Sequence, residues 1–349
     1  MTCKLTFLPV GNADSIVICP DDDSTVVIDI ANPRVLDKWL QNNHQNNIRQ
    51  VYITHAHRDH FPQLVKLVEF LKIWIKRGTV ERFILPHSVY KDAVEKLDNK
   101  RGQTPHYQQL EVALNQLDDW DRKNIIRILP GSLDSNQFSH GQLNINILHP
   151  SLPFIEKHLA KTSGRLNEIS LVLRVTYGDF AALLLADIEG DGLRKCVDSS
   201  MLNPPEFSAN IVKIPHHGAW PKNGDDLKQL LETIDAEIAV LSVGSENTYG
   251  HVVPDLFALL LSLKNDTSKR LQNFACTEVT RTCVHSARKR SSMGKSGLDK
   301  KQLCAGEITI FAETSGQWQL KTQTVHEDII SSLTHPACKG KADLGIIPT

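Results

Sequence analysis

Apolar, strand-like runs in this chain end repeatedly in histidine or aspartate, and that recurrence constrains the fold more than any other feature. Val51-Tyr52-Ile53 leads straight into Thr54-His55-Ala56-His57-Arg58-Asp59-His60. Leu183-Leu184-Leu185-Ala186 leads into Asp187, Ile211-Val212-Lys213-Ile214-Pro215 into His216-His217-Gly218, and Ile238 to Val243 into Asn247-Thr248-Tyr249-Gly250-His251. Helix-prone segments such as 227–234 and 256–263 alternate with these runs, so the expected class is α/β. Side chains delivered at the same end of neighbouring strands converge on one place, as they do at strand carboxyl ends in open α/β sheets.

The densest of these ends is also the most informative chemically. His55 and His57 stand at i and i+2 and leave the strand on one side. Asp59 and His60 enter the following turn, where a hard oxygen and another imidazole can meet a second ion. Imidazole with carboxylate suits zinc, manganese or iron, and the lack of cysteine argues against a closed structural zinc site. Asp29, at the end of the β-branched run Thr25 to Ile30, is a candidate to hold one of these histidines by a hydrogen bond.

Composition sets the outer limits. The 349 residues carry 39 Lys+Arg against 40 Asp+Glu, so any case for nucleic acid or membrane binding must be local. Seven cysteines, an odd number without paired spacing, fit a reducing cytoplasm. No signal peptide is visible, and apolar stretches such as Val68 to Ile75 are interrupted by charge well short of a membrane span. The expectation is a soluble, cytoplasmic protein.

Along the chain, Leu64, Leu67, Val68, Leu71, Trp74 and Ile75 recur at helical spacing and read as core packing. Residues 89–124 are polar and helix-prone and read as a helical insertion or lid. Residues 170–175 and 181–186 read as a hairpin about Gly178. The basic segment 281–303 holds Arg281, Arg288, Lys289, Arg290, Lys295, Lys300 and Lys301 against Asp299 alone. With almost nothing apolar it reads as a mobile loop, either a solvated surface or a phosphate-attracting flap. Cys276, Cys283, His285 and Cys304 bracket it without a C-x-x-C pair. The expected division is one domain over 1–322 and a C-terminal tail over 323–349.

The His55-x-His57-x-Asp59-His60 run resembles the signature of the metallo-β-lactamase fold, an αββα four-layer sandwich with a dinuclear metal site. More narrowly, the chain resembles the nuclease-like domain of ComEC-type DNA-uptake proteins and their solitary soluble relatives. The similarity runs through Val10-Gly11-Asn12-Ala13-Asp14-Ser15-Ile16, the histidine cluster, Asn167-Glu168-Ile169-Ser170, Leu185-Ala186-Asp187, Lys213-Ile214-Pro215-His216-His217-Gly218, Asn247 to His251 and Gly306-Glu307-Ile308. It covers roughly residues 4 to 320. The resemblance implies two divalent ions, Zn or Mn, with His55 and His57 on the first, Asp59 and His60 on the second, and Asp187 bridging. His251 takes the place of the late histidine ligand, and His216 and His217 the place of ligand or proton donor. The chain departs from the pattern where a histidine usually precedes the bridging aspartate; Asn167 lies nearest that place. Phe61-Pro62 also replaces a common Gly-Gly region, and Ala13 a common glycine.

The expected activity is hydrolysis, foremost as a phosphodiesterase or nuclease on DNA or RNA using a metal-activated hydroxide. Asp59 would orient the nucleophile, and His217 or His216 would protonate the leaving oxygen. Lys213 and Asn247 are candidate supporting or phosphate-binding residues. Basic residues 281–301 are the expected nucleic-acid contact. The alternatives are a hydrolase of a small ester, lactone or cyclic nucleotide, and a catalytically silent metal-binding regulatory component. The Arg/Lys-rich loop is also an attractive protease site, which makes a regulatory protease or a defence-system component the candidate protein partner.

Overall fold

A computed structural model describes residues 2–20, 24–89, 105–133, 137–160 and 166–344. Among the described residues fifteen strands form two sheets, numbered here in chain order. The first holds β1 (Thr2–Phe7), β2 (Ile16–Cys19), β3 (Ser24–Ile28), β4 (Asn47–Tyr52), β5 (Val80–Leu85), β6 (Arg127–Pro130), β14 (Ile308–Glu313) and β15 (Trp318–Thr322), in the order β15-β14-β1-β2-β3-β4-β5-β6. The second holds β7 (Gln137–His140), β8 (Leu143–His149), β9 (Val172–Tyr177), β10 (Phe180–Leu184), β11 (Ile211–Lys213), β12 (Ile238–Leu241) and β13 (Asn273–Cys276), in the order β13-β12-β11-β10-β9-β8-β7.

Alternation along the strands stacks the sheets face to face. Ile16, Ile18, Val26, Ile28 and Tyr52 meet Leu173, Val175, Ala182, Leu184 and Val240 in one central cluster. The intervening Val17, Val27 and Val51 point outward against helices α1 (Pro33–Asn42) and α2 (Leu64–Arg77). On the second sheet Leu183, Val212 and Leu241 point outward against helices 190–202, 224–234 and 254–265. Three apolar layers separate four structural ones, as the expected αββα sandwich requires. Each fully buried Leu or Phe in them contributes roughly 1.5–3 kcal/mol.

Parallel pairing needs crossovers, and these position the strand ends that matter. β3 pairs parallel with β4, Ile28 opposite Tyr52, across α1, which Asn32 caps by accepting from the N–H groups of Arg34 and Val35. α2 then returns the chain to β5, parallel to β4. In the second sheet β10, β11 and β12 are parallel, with Leu184 opposite Lys213 and Lys213 opposite Val240. Residues 29, 53–60, 185–187, 214–218 and 242–251 all follow carboxyl ends of parallel strands.

One sequence expectation changes, that of a mobile basic loop, and two others gain detail. Within 89–124, residues 90–104 lie outside the described set, while α3 (Pro105–Arg122) packs Leu110, Leu117 and Trp120 into the outer core beside α2. The basic segment is folded: it forms short helices at Arg281–Val284 and Ala287–Met293, and buried Arg290 donates to the carbonyls of His285 and Asp343. Lys301 pairs with Glu278 at 3.0 Å. Its composition misled because Arg281 and Arg290 satisfy backbone carbonyls and Lys301 meets Glu278. The tail likewise packs onto the core, through a helix at His326–Ser332, buried Ile330 and Ala337, and Leu333 and Leu344 beside them. No helix among the described residues is long and apolar enough to cross a membrane.

Candidate metal centre

Because Ile28 and Tyr52 are opposite, Asp29 emerges beside Thr54. Asp29 accepts from the Thr54 N–H through Oδ1 at 2.7 Å and from the Thr54 hydroxyl through Oδ2 at 2.7 Å. Its Oδ2 also lies 2.6 Å from Nδ1 of His60, which donates to it. The Thr54 oxygen, its proton already given to Asp29, accepts from Nδ1 of His55 at 3.1 Å. His217 is tied in the same manner, Nδ1 donating to the Ser242 carbonyl at 2.8 Å. Fixing Nδ1 as the donor leaves Nε2 as the lone-pair nitrogen. All three Nε2 atoms turn toward Asp187.

Asp187 sits between two groups of side chains. Its Oδ1 is 3.2 Å from His60 Nε2 and 3.6 Å from His217 Nε2. Its Oδ2 is 3.8 Å from His55 Nε2 and 3.9 Å from His216 Nε2. Asp59 reaches the first group, Oδ2 lying 3.5 Å from His217 Nε2, and His57 joins the second, Nδ1 lying 3.2 Å from His55 Nε2. His60 and His217 bring their Nε2 atoms within 3.2 Å of each other.

The donor set fits divalent ions. Metal–nitrogen bonds of 2.0–2.1 Å in a tetrahedron place ligand atoms about 3.3 Å apart, close to the spacing around His60 and His217. Single ligand atoms from Asp14, His60, Asp187 and His217 lie within 4.8 Å of one another, all buried. Asp187 Oδ1 is buried and makes no well-formed hydrogen bond. Such an atom calls for a cation.

The charges agree with this picture. Burial works to raise the Asp187 carboxyl, but the neighbouring His60 and His217 hold it well below the usual carboxylate range. Burial likewise opposes charge on His60, yet Asp187 and Asp29 hold its pKa well above the ordinary value. Burial, with His60 next to it, pushes His55 well below its ordinary value. Burial resists ionisation of Asp59, but a hydrogen bond with His217 and the charge of His60 keep it a carboxylate.

Backbone strain concentrates at the same residues. Asp29, Ala186, His216 and His217 take left-handed conformations, at φ of 59°, 44°, 50° and 50°. Each non-glycine residue held so costs on the order of 1–3 kcal/mol and persists only where its surroundings enforce it. The consecutive left-handed histidines send His217 inward, fully buried, and leave His216 at the cavity wall with 29% of its side chain exposed. Gly218, at φ 83°, completes the turn; a Cβ there would lie 2.8 Å from Val252.

A cavity of about 580 Å³ opens over the centre, lined by Asn12, His57, Arg58, Asp59, Asn167, Asp187, His216, Tyr249 and His251. Asn167 donates to Glu189 at 3.0 Å and lies 3.5 Å from His216 Nε2, and Glu189 in turn lies 3.4 Å from His216 Nδ1. Burial opposes charge on His216, but Glu189 and Asp187 raise its pKa. His251 lines the cavity with Nδ1 buried and unpartnered, 5.6 Å from the His216 ring, while His217 rather than His251 enters the tight cluster around Asp187.

Two expected supporting residues take different places. Lys213 does not reach the cavity: it is fully buried, its ammonium held by Asp14 and by the Ala186 carbonyl at 3.1 Å, with Asp187 Oδ1 4.0 Å away. Its place beneath Asp187 leaves it no access to a phosphate. Asn247 is a loop organiser, accepting from the N–H groups of Gly250 and His251 and donating to the carbonyls of Gly244 and His251.

Sequence reasoning passed over Asp14, Glu189 and Arg58. In the sequence Asp14 stands only as the end of the turn between two strands, with no role assigned, and the partner that matches its buried charge, Lys213, lies 199 positions away. Arg58 was legible as a spacer within the histidine run, and Glu189 stands two positions after Asp187.

No family model matches the chain. Over 227 residues it is 23% identical to ComE operon protein 3 of Bacillus subtilis (strain 168), a match covering 65% of this chain and 24% of that protein. The chain thus spans about a quarter of the length of that relative. Solved structures that resemble it include the metallo-β-lactamase fold protein YhfI from Bacillus subtilis, at 12% identity and TM-score 0.43, covering 74% of this chain and 94% of that one. Igni18, a metallo hydrolase from Ignicoccus hospitalis, gives 16% identity, TM-score 0.42 and coverages of 76% and 91%. The short form of human tRNase Z gives 12%, 0.38, and 70% and 93%. With two stacked sheets flanked by helices and a His-x-His-x-Asp-His run leaving a parallel strand, the chain has the αββα sandwich of the metallo-β-lactamase fold.

Proposed function

We propose that this chain is a metal-dependent phosphodiesterase that acts on nucleic acid. The observation that carries the reading is Asp187, whose two oxygens face two separate groups of nitrogen and oxygen ligands. His55, His57 and Asp187 would hold one divalent ion; Asp59, His60, His217 and Asp187 would hold the other. When bound, such a pair supplies a positive clamp for a phosphodiester and lowers the pKa of water.

The remaining work belongs to side chains. Asp59, ionised and 30% exposed, orients an attacking water at the cavity floor by accepting a hydrogen bond from it. His216 stands at the cavity wall with Glu189 behind Nδ1, placed to pass a proton from Nε2 to the departing oxygen. Asn167 holds Glu189 and lies close to that same Nε2. His251, on the loop that Asn247 ties together, closes the far wall.

Purified chain would be loaded with Mn²⁺ or Zn²⁺, its metal content measured, and its activity followed on single- and double-stranded DNA and RNA and on bis(p-nitrophenyl) phosphate. The expected result is diester cleavage that Asp187→Ala and His57→Ala abolish together with metal retention. Undiminished cleavage by either variant would overturn the assignment. Hydrolysis of lactones or simple esters with no diester cleavage would overturn the phosphodiesterase reading in favour of a small-molecule hydrolase.

A further inference from the structure

Arg58 belongs to two cavities at once. It lines the cavity over the metal centre, and it lines a neighbouring groove of about 800 Å³ between the start of α1 and the face of α2. The groove begins one residue from His57 and Asp59, within about 3.8 Å along the backbone. Any substrate longer than the reacting phosphodiester and seated beside Arg58 has this groove as a direct continuation.

The groove is built for anions. Arg34, Arg58 and Lys66 all line it and all are exposed, and among the described residues none of the three has a hydrogen bond or ion pair through its side chain. Of the acids in the lining, Asp37 is already matched by Arg77 at 2.5 Å, which leaves Glu69 alone against three cations. The chain as a whole is near neutral, at −1, so an unmatched group of this kind is a local feature. Between the cations Ile73 is 45% exposed over the buried Phe61 and Phe70, with the polar Asn32 and Gln63 beside them. Cations that meet a backbone, with apolar surface between them for base faces, are what a single nucleic-acid strand recognises.

The basic segment offers less. Arg281 and Arg290 are spent on backbone carbonyls and Lys301 on Glu278, which leaves scattered lysines and Arg288 at the surface. Lys66 and Arg34, by contrast, share one groove with Arg58.

We propose that the groove between α1 and α2 carries the polynucleotide strand on one side of the scissile phosphate, with Arg58, Lys66 and Arg34 as its successive phosphate contacts. This rests on the phosphodiesterase reading above and names the substrate as a strand with nucleotides beyond the reacting pair.

The test compares the metal-loaded wild type with Arg34→Ala/Lys66→Ala and, as a control, Lys295→Ala/Lys300→Ala. Each is assayed on bis(p-nitrophenyl) phosphate and on a fluorescent single-stranded oligonucleotide across a salt series. Arg34→Ala/Lys66→Ala is expected to leave small-diester hydrolysis unchanged and to lower kcat/KM on the oligonucleotide roughly tenfold. Its plot of log affinity against log salt is expected to flatten by about 1.4, two contacts at about 0.7 each. An unchanged oligonucleotide rate and salt slope in that variant would overturn the proposal, as would a loss confined to Lys295→Ala/Lys300→Ala. Wild type that cleaves the small diester but no oligonucleotide overturns the groove and the nucleic-acid substrate, and leaves the phosphodiesterase activity standing. Wild type that cleaves neither overturns the phosphodiesterase reading, and the groove with it.

Discussion

Oδ2 of Asp29 lies 2.6 Å from Nδ1 of His60, and the opposite nitrogen of that ring lies 3.2 Å from Asp187. One carboxylate at the end of β3 thereby decides which nitrogen another carboxylate, from the second sheet, confronts. Thr54 reinforces the choice, giving its proton to Asp29 and taking one from His55.

Asp29→Asn should therefore weaken metal binding without touching a ligand. The amide presents no full negative charge to Nδ1, and partners of this kind are typically worth about 10–100-fold in affinity. Calorimetric titration with Zn²⁺ would show it; wild-type affinity in the variant would mean that His60 needs no such orientation.

Asp14 and Lys213 form a buried ion pair, 2% and 0% exposed. Removing one partner strands the other charge. Lys213→Met should cost about 3–5 kcal/mol in urea unfolding, and adding Asp14→Asn should restore part of that loss. A double variant whose cost equals the sum of the two single costs would show that the pair is not coupled.

His149 gives a pH signature away from the metal centre. Burial pushes its pKa down to about 4, against an ordinary 6.5, although its hydrogen bond to the Glu168 carbonyl works the other way. The unfolded chain then binds the extra proton more readily, so stability is full above pH 6.5 and falls as pH drops toward 4. The loss is of order 3 kcal/mol. His149→Gln keeps a donor for Glu168 and should flatten this part of the stability–pH curve; an unchanged slope would assign the acid sensitivity elsewhere.

The cysteines should behave as packing. None of the seven is in a disulfide among the described residues; six are buried, and Cys338 is partly exposed. Burial pushes the Cys19 and Cys196 thiols up to about 11 and about 12. A thiol reagent at neutral pH should titrate at most one group quickly in native protein and seven in denaturant. Rapid native reaction of several thiols would contradict the packing described.

The sequence made the strand ends legible because residue type and spacing carried the chemistry. His55, His57 and His60 needed only a strand and a turn, and Asp29 followed from the β-branched run before it. Side-chain fate across long separations was not legible. Lys213 reads as a strand lysine, yet Asp14 draws its ammonium inside. Arg290 reads as a loop cation, yet the His285 and Asp343 carbonyls hold it. His216 and His217 are identical in the sequence, and only their left-handed turn sends one inward and the other to the cavity wall.

His55, His57, Asp59 and His60 come from one sheet, and Asp187, His216, His217 and His251 from the other. The centre is thus a gauge of how the two sheets are seated. A small slip of one against the other would change the distances from Asp187 to His55 and to His60 together, and misplacement of about 1 Å can cost 10²-fold in rate. Trimming a side chain deep in the shared core, such as Phe7 or Leu184, would then be felt at the strand ends, where no atom had been altered.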